Sequence, residues 1–83
     1  MHQLPINASI QLIPINQADT AMAQIDGAIA IVQQSGLAYE VGPFGTSICG
    51  SYAAVMELIA TINSYMANSS PTEWLLQVQL HIH

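Results

Sequence analysis

Two short segments of the chain place hydrogen-bonding side chains at alternate positions. Ser9 and Gln11 are separated by one residue, as are Ser47 and Cys49, and Glu40 lies between the two segments. Alternate side chains of a β-strand point to the same face. Such groups can orient a planar heterocycle, and Glu40 can accept from an amino group or offset a cationic ring. Alternatively, the neutral groups satisfy each other or a second subunit, and Glu40 is a solvated strand carboxylate.

Residues around a predicted turn extend this candidate site. Pro43, Phe44 and Gly45 are typical of a turn. Phe44 is expected to stack on a ring or to pack at an interface. Thr46 either joins the hydrogen-bonding set or supports the turn. Tyr39 could also stack on a ring, but strand parity favours a place in the core.

Catalytic and metal-binding alternatives have weaker support. Cys49 would need an electropositive setting to act as a nucleophile, and the chain has no Lys or Arg. His81 and His83 lie on one side of a strand and could chelate a metal, but neither a Cys nor an acidic residue is near them in sequence. We therefore expect no catalytic residue, no metal and no cofactor.

The composition favours neutral or cationic small ligands and self-association. Of the 83 residues, 52% are apolar and 6% are charged, with no Lys or Arg and a net charge of −5; ordinary chains are about 25% charged. Phosphate groups are usually bound by Lys or Arg, so nucleic acids and anionic membranes are poor partners. Excess apolar surface on a small domain favours a homodimer or homotetramer. One cysteine and the lack of a signal-like or membrane-length segment predict a cytoplasmic location.

The polar residues belong to a predicted order of strands and helices. Alternating or β-branched segments predict strands at residues 8–15, 37–42, 46–50 and 74–82. The first helix should be capped by Asp19 or Thr20 and end at Gly36, and the second should be capped by Ser51 and break at residues 68–72. This order predicts one α+β domain over residues 1–83, a ferredoxin-like βαββαβ sandwich. Its four-stranded antiparallel sheet carries both helices on one face.

Strand alternation then assigns the two faces of the sheet. Ile10, Ile48 and the even-numbered residues of the last strand should face the helices, together with Met22, Met56 and Met66 of the helices. The helix-free face should carry the candidate site, with Gln77, Gln79 and His81 beside it and Ile13, Ile15 and Leu75 at its border. A nearly uncharged face of this kind suits a subunit interface or a pocket between subunits.

One stretch resembles a known family. It reads Ser35-Gly36-Leu37-Ala38-Tyr39-Glu40-Val41-Gly42-Pro43-Phe44-Gly45-Thr46, and Pro14 and Gly50 also fit. It is similar to the small thiamine-binding protein family. The resemblance implies ferredoxin-like subunits that assemble through their sheets, no established catalysis, and thiamine or its hydroxymethylpyrimidine part as ligand. Many relatives carry an acidic residue where this chain has Cys49, which leaves Glu40 as the available carboxylate.

These observations predict a non-catalytic, oligomeric binder of thiamine or a related pyrimidine. The expected pocket lies near the hairpin of residues 39–49, closed by a second subunit. Its candidate ligand-binding residues are Ser9, Gln11, Glu40, Phe44, Thr46, Ser47 and Cys49. The alternatives are a structural or regulatory oligomer without a small ligand, and a small dimeric ferredoxin-like enzyme that uses the open face as a cavity.

Overall fold

The elements of the chain follow the predicted order. The computed structural model describes residues 5–15, 21–42, 45–69 and 73–82. Its elements are β1 (Ile6–Pro14), α1 (Ala21–Gln34), β2 (Ala38–Gly42), β3 (Gly45–Gly50), α2 (Tyr52–Asn68) and β4 (Trp74–His81). The βαββαβ order of a ferredoxin-like α+β fold is thus confirmed. The predicted cap at Asp19 or Thr20 lies outside the described residues.

The sheet is antiparallel throughout, in the order β2-β3-β1-β4. Strands β1 and β3 are therefore the central pair, as two interleaved crossovers require. β1 pairs on both sides, with β3 from Ile6 to Ile10 and with β4 from Asn7 to Pro14. The position of β1 thereby determines which residues of the other strands are neighbours.

The predicted end of α1 and the predicted start of α2 are confirmed. Ser51 has extended backbone angles, and its hydroxyl accepts a hydrogen bond from the Ala54 amide at 3.2 Å, which satisfies one of the free N–H groups of α2. After α1, Gly36 adopts a φ of 81°, a left-handed conformation that glycine reaches without steric cost. The Ser35 hydroxyl donates to the Val32 carbonyl at 2.6 Å and accepts from the Leu37 amide at 3.1 Å.

The core lies between one face of the sheet and the two helices. β1 alternates between buried and exposed residues from Ile6 to Gln11. The buried apolar residues are Ile6, Ala8, Ile10, Ala28, Val32, Ile48, Val55, Leu58, Ile62 and Met66. Burial of these side chains on one side of the sheet leaves the other face of β1 free for polar groups.

Three residues assigned to the core are more exposed than expected. Met22 is 69% exposed and Met56 37% exposed, whereas Met66 is buried. The predictions for Met22 and Met56 were wrong because of the helical period. The buried face of α1 includes Gln24 and that of α2 includes Leu58, each two positions further along the helix. Tyr39 does face the helix side, opposite Ile48, but it remains 43% exposed because it lies on the edge strand β2.

Two glycines with positive φ should differ in their tolerance of a side chain. A Cβ on Gly45, whose φ is 151°, would lie 2.9 Å from the Ile10 carbonyl oxygen, whereas Gly36 has no atom within 4 Å of that position. We expect Gly36→Ala to cost about 1–2 kcal/mol for the left-handed backbone alone. Gly45→Ala should cost at least about 1 kcal/mol more. Urea unfolding at one fixed protein concentration measures both losses, and equal losses would contradict the close approach of β3 to β1.

Candidate functional site

The helix-free face of the sheet carries a row of four polar side chains. Glu40 lies opposite Ser47, Ser47 opposite Ser9, and Ser9 opposite Gln79. All four residues are exposed. Directly opposed residues on one face have Cβ atoms about 4.5–5.5 Å apart. The row therefore forms a continuous band of hydrogen-bonding groups from edge strand to edge strand.

The next row combines two glycines with two glutamines. Gly42 pairs with Gly45, and Gln11 pairs with Gln77. The two pairs are adjacent, because a Cβ built on Gly45 would lie 3.7 Å from the Cβ of Gln11. The glycines present bare backbone to solvent, while the glutamine side chains stand above the sheet. This difference in height creates a depression on the open face, next to the point where β2 ends and β3 begins.

The depression is large enough for a small ligand and has an uncharged lining. Its volume is about 660 Å³, within the usual range of about 300–1,000 Å³ for ligand sites. The described residues that line it are Ser9, Ile10, Gln11, Gly42, Gly45, Ser47, Gln77, Val78 and Gln79. Carboxamides and hydroxyls each donate and accept hydrogen bonds. A planar ring can lie close to the glycine backbone while these side chains hold its edge.

Three of the predicted site residues line this depression and two lie near it. Ser9, Gln11 and Ser47 are in the lining. Glu40 lies at the rim, on the edge strand beside Ser47. Cys49 is a free, half-buried thiol on the far side of Ser47, opposite Asn7 and outside the lining.

Thr46 does not belong to the open face. It pairs with Ile10 and Val41, faces the helices and is 9% exposed. There it contributes to a separate, mainly apolar cavity of about 180 Å³ between the sheet and α1. Thr46 shares the parity of Ile48, so it cannot act beside Ser9 and Gln11 on a ligand above the sheet. Phe44, the remaining candidate, lies outside the described residues.

Four further open-face residues line the depression, and the sequence did not mark them as site residues. Gln77 and Gln79 were placed on the open face but were not assigned to the pocket, whereas Gly42 was predicted only as a residue of the second strand and Gly45 only as part of the turn. The register of β4 against β1 brings the two glutamines opposite Gln11 and Ser9. The spacing of Gly42 and Gly45 across the turn was the sequence signal for a depression. Two glycines that pair across a hairpin remove two side chains from the same face of the sheet.

Neither a metal centre nor a membrane span emerges in the described part of the chain. Within residues 5–15, 21–42, 45–69 and 73–82, no three His, Cys, Asp or Glu side chains form a group that could hold a metal ion. His81 faces the open side next to Asn7, and His83 lies outside the described residues. No helix in the described ranges has the length and hydropathy needed to cross a membrane.

Known structures share this fold at low sequence identity. A protein from Thermotoga maritima that is assigned to thiamine biosynthesis or salvage matches with a TM-score of 0.88 and 24% identity, over 96% of this chain and 85% of that one. A domain of unknown function from Bacillus cereus matches with a TM-score of 0.86 and 23% identity, over 95% and 76% of the two chains. A Streptococcus pneumoniae protein matches with a TM-score of 0.87 and 21% identity, over 96% of this chain and 88% of that one. These likenesses establish the fold.

Family membership is established at the level of sequence. No curated protein matches the chain. A profile of the family described as "thiamine-binding protein" matches residues 8–82. The matched range includes every strand residue that lines the depression. The chain therefore belongs to the thiamine-binding protein family.

Proposed function

We propose that this chain binds thiamine, or the hydroxymethylpyrimidine part of thiamine, in the depression on its open face. It does so as a homo-oligomer and without catalysing a reaction. The observation that carries the proposal is the uncharged, amide-lined depression over Gly42 and Gly45, in a chain of the thiamine-binding family. The assignment of the T. maritima protein to thiamine biosynthesis or salvage supports the same ligand class.

The carboxamides of the lining suit an aminopyrimidine. A 4-aminopyrimidine presents a ring-nitrogen acceptor next to an amino donor. A glutamine side chain presents the complementary donor and acceptor, and the same pairing recognises adenine in nucleic acids. Gln11 and Gln77 are cross-strand neighbours at the wall of the depression, so either amide can reach the edge of a ring that lies over the glycines.

Catalysis would need different groups in the depression. Its described lining consists of amides, hydroxyls, glycine backbone and aliphatic side chains, which orient a ligand by hydrogen bonds. Proton transfer requires an ionisable group within hydrogen-bond reach of the reacting atom. We therefore propose a binding role, and a cytoplasmic location for a small protein whose single cysteine forms no intrachain disulfide.

A second subunit over the open face would complete the pocket. The depression is open to solvent on one side, whereas ligand sites usually enclose most of the ligand surface. Leu75, at the border of this face, is 44% exposed and would be covered by such a contact. Glu40 is the one carboxylate that the described strands place on this face. Because the chain has no Lys or Arg to neutralise it, Glu40 should lie outside the contact or against a cationic ligand.

Gln77→Leu should weaken ligand binding while the matched variant Gln33→Leu should not. Both glutamines are exposed, but Gln77 lines the depression and Gln33 lies on α1. Removal of the amide should cost about 0.5–1.5 kcal/mol in binding, or roughly 2- to 13-fold in Kd. Thermal shift and calorimetry with thiamine, hydroxymethylpyrimidine, the thiazole alone and divalent metals measure the effect, because ligands of the native state raise Tm.

The same panel decides between functions. A Tm increase with thiamine or hydroxymethylpyrimidine that Gln77→Leu reduces supports the proposed site. Equal increases in the parent and both variants would place the ligand elsewhere. No increase with any organic compound would contradict ligand binding and favour a structural or regulatory assembly.

Free thiamine should bind more tightly than thiamine pyrophosphate. The chain has no Lys or Arg and a net charge of −5, so only backbone N–H groups or an added metal could hold the pyrophosphate. We expect a preference of roughly tenfold or more for the free vitamin. Calorimetry in metal-free buffer measures both affinities, and tighter binding of the pyrophosphate would contradict the assignment of an uncharged pocket.

Glu40→Gln should weaken the binding of cationic thiamine but not that of neutral hydroxymethylpyrimidine. Glu40 is an exposed rim residue, so its attraction for a thiazolium should be worth up to about 1 kcal/mol and should decline with added salt. Glu57→Gln, on the exposed surface of α2, is the matched control. Equal effects in the two variants would make Glu40 a solvated residue. A loss above about 1.5 kcal/mol would indicate direct contact with the ligand.

A further inference from the structure

A second cavity lies between the sheet and α1, on the opposite side of the sheet from the depression. Its volume is about 180 Å³. Helix α1 supplies one wall, and β1, β2 and β3 supply the other. Ile10, Gln11, Gly42 and Gly45 line both spaces. Strand backbone therefore forms the boundary between the two, and the cavity faces the helices as a separate space.

Two short side chains create this cavity. Ala28 is the middle one of the three buried residues of α1, between Gln24 and Val32. Thr46 lies opposite Ile10 near the start of β3 and faces the helices. An alanine and a threonine extend less far from their layers than the larger aliphatic side chains around them. The helix and the sheet therefore leave a gap at this level, in a protein interior that is otherwise close-packed.

The lining of the cavity is apolar and uncharged. Eight of its twelve described residues are aliphatic, and none of the twelve is charged. Thr46 carries the one polar side chain of this lining that faces the helices, because Gln11 projects from the open face. A buried water needs about two to four polar partners, so the cavity favours an apolar occupant over water. Such an occupant also supplies the dispersion contacts that the lining residues lack.

The cavity has an entrance at the edge of the sheet. Val41, on the edge strand β2, lines the cavity and is 46% exposed. On the α1 side, the lining residues Ile25 and Ile29 are half-buried. The cavity therefore reaches the surface between β2 and α1, where a small molecule can enter without unfolding of the sheet.

We propose that this cavity binds a small neutral molecule with an apolar ring of the size of benzene. An aliphatic and aromatic cavity of about 150 Å³ binds benzene in another protein, and this cavity is similar in volume and in lining. A charged group would be unpaired among these residues. The site is additional to the proposed thiamine site and takes a different class of ligand, because the depression is lined mainly by hydrogen-bonding side chains.

Val41→Trp should weaken the binding of benzene, whereas the matched variant Tyr39→Trp should not. Both residues lie on the helix side of β2 and are similarly exposed, but Tyr39 is outside the described lining of the cavity. In the parent protein, benzene at ten times its Kd should raise Tm by roughly 5–10 °C. A tryptophan ring at the entrance should raise the Kd by about tenfold or more. Thermal shift at one protein concentration and calorimetry measure both effects, and circular dichroism confirms that the variants are folded.

Ala28→Leu tests the volume of the cavity directly. The larger side chain should occupy the cavity, so Tm should stay unchanged or rise and the effect of benzene should disappear. Ala8→Leu is the matched control, because Ala8 is also buried but lies outside the described lining. Overpacking at Ala8 should lower Tm.

Three outcomes would overturn the proposal. The first is an unchanged Tm of the parent protein in benzene, and the second is an equal increase of Tm in the parent, Val41→Trp and Ala28→Leu. The third is loss of the benzene effect in Gln77→Leu, which would place benzene in the depression on the open face. Thiamine is absent from all these measurements, so their outcome does not depend on whether thiamine binds.

Discussion

The pairing of β1 with a strand on each side is the constraint on which the rest of the structure depends. Its buried residues, from Ile6 to Ile10, anchor the core, and the residues that alternate with them form the centre of the open face. A slip of one residue would move the whole polar set into the core. The same hydrophobic burial that stabilises the sheet therefore holds Ser9 and Gln11 in register with the groups on β3 and β4.

The lack of Lys and Arg shapes the candidate site. A chain with no Lys or Arg has few groups that could neutralise a buried carboxylate, so amides, hydroxyls and backbone are the groups that it offers to a ligand. The depression follows this pattern, with Gln11, Gln77 and Gln79 around bare glycine backbone.

Glycine determines both the strand packing and the open surface at the end of the β2–β3 hairpin. The backbone of Gly45 approaches the Ile10 carbonyl too closely for a side chain, and together with Gly42 it leaves the sheet surface bare beside the glutamines. The close packing of β3 against β1 and the space for a ring on the open face thus have one cause. Strand packing and the shape of the candidate site are therefore coupled at this point of the fold.

The sequence alone determined the order of elements and the strand parity, because alternation, helical period and capping are local properties. It also determined the central pair of strands, because the chain topology restricts the sheet order. Only the tertiary structure decided which open-face residues share a depression, since register joins residues distant in sequence. It brought Gln77 opposite Gln11, left Glu40 at the rim, and placed Thr46 with Ile48 on the helix side. It also decided that Tyr39 and Met22 remain exposed, because burial depends on which neighbours cover a residue as well as on the direction in which it points.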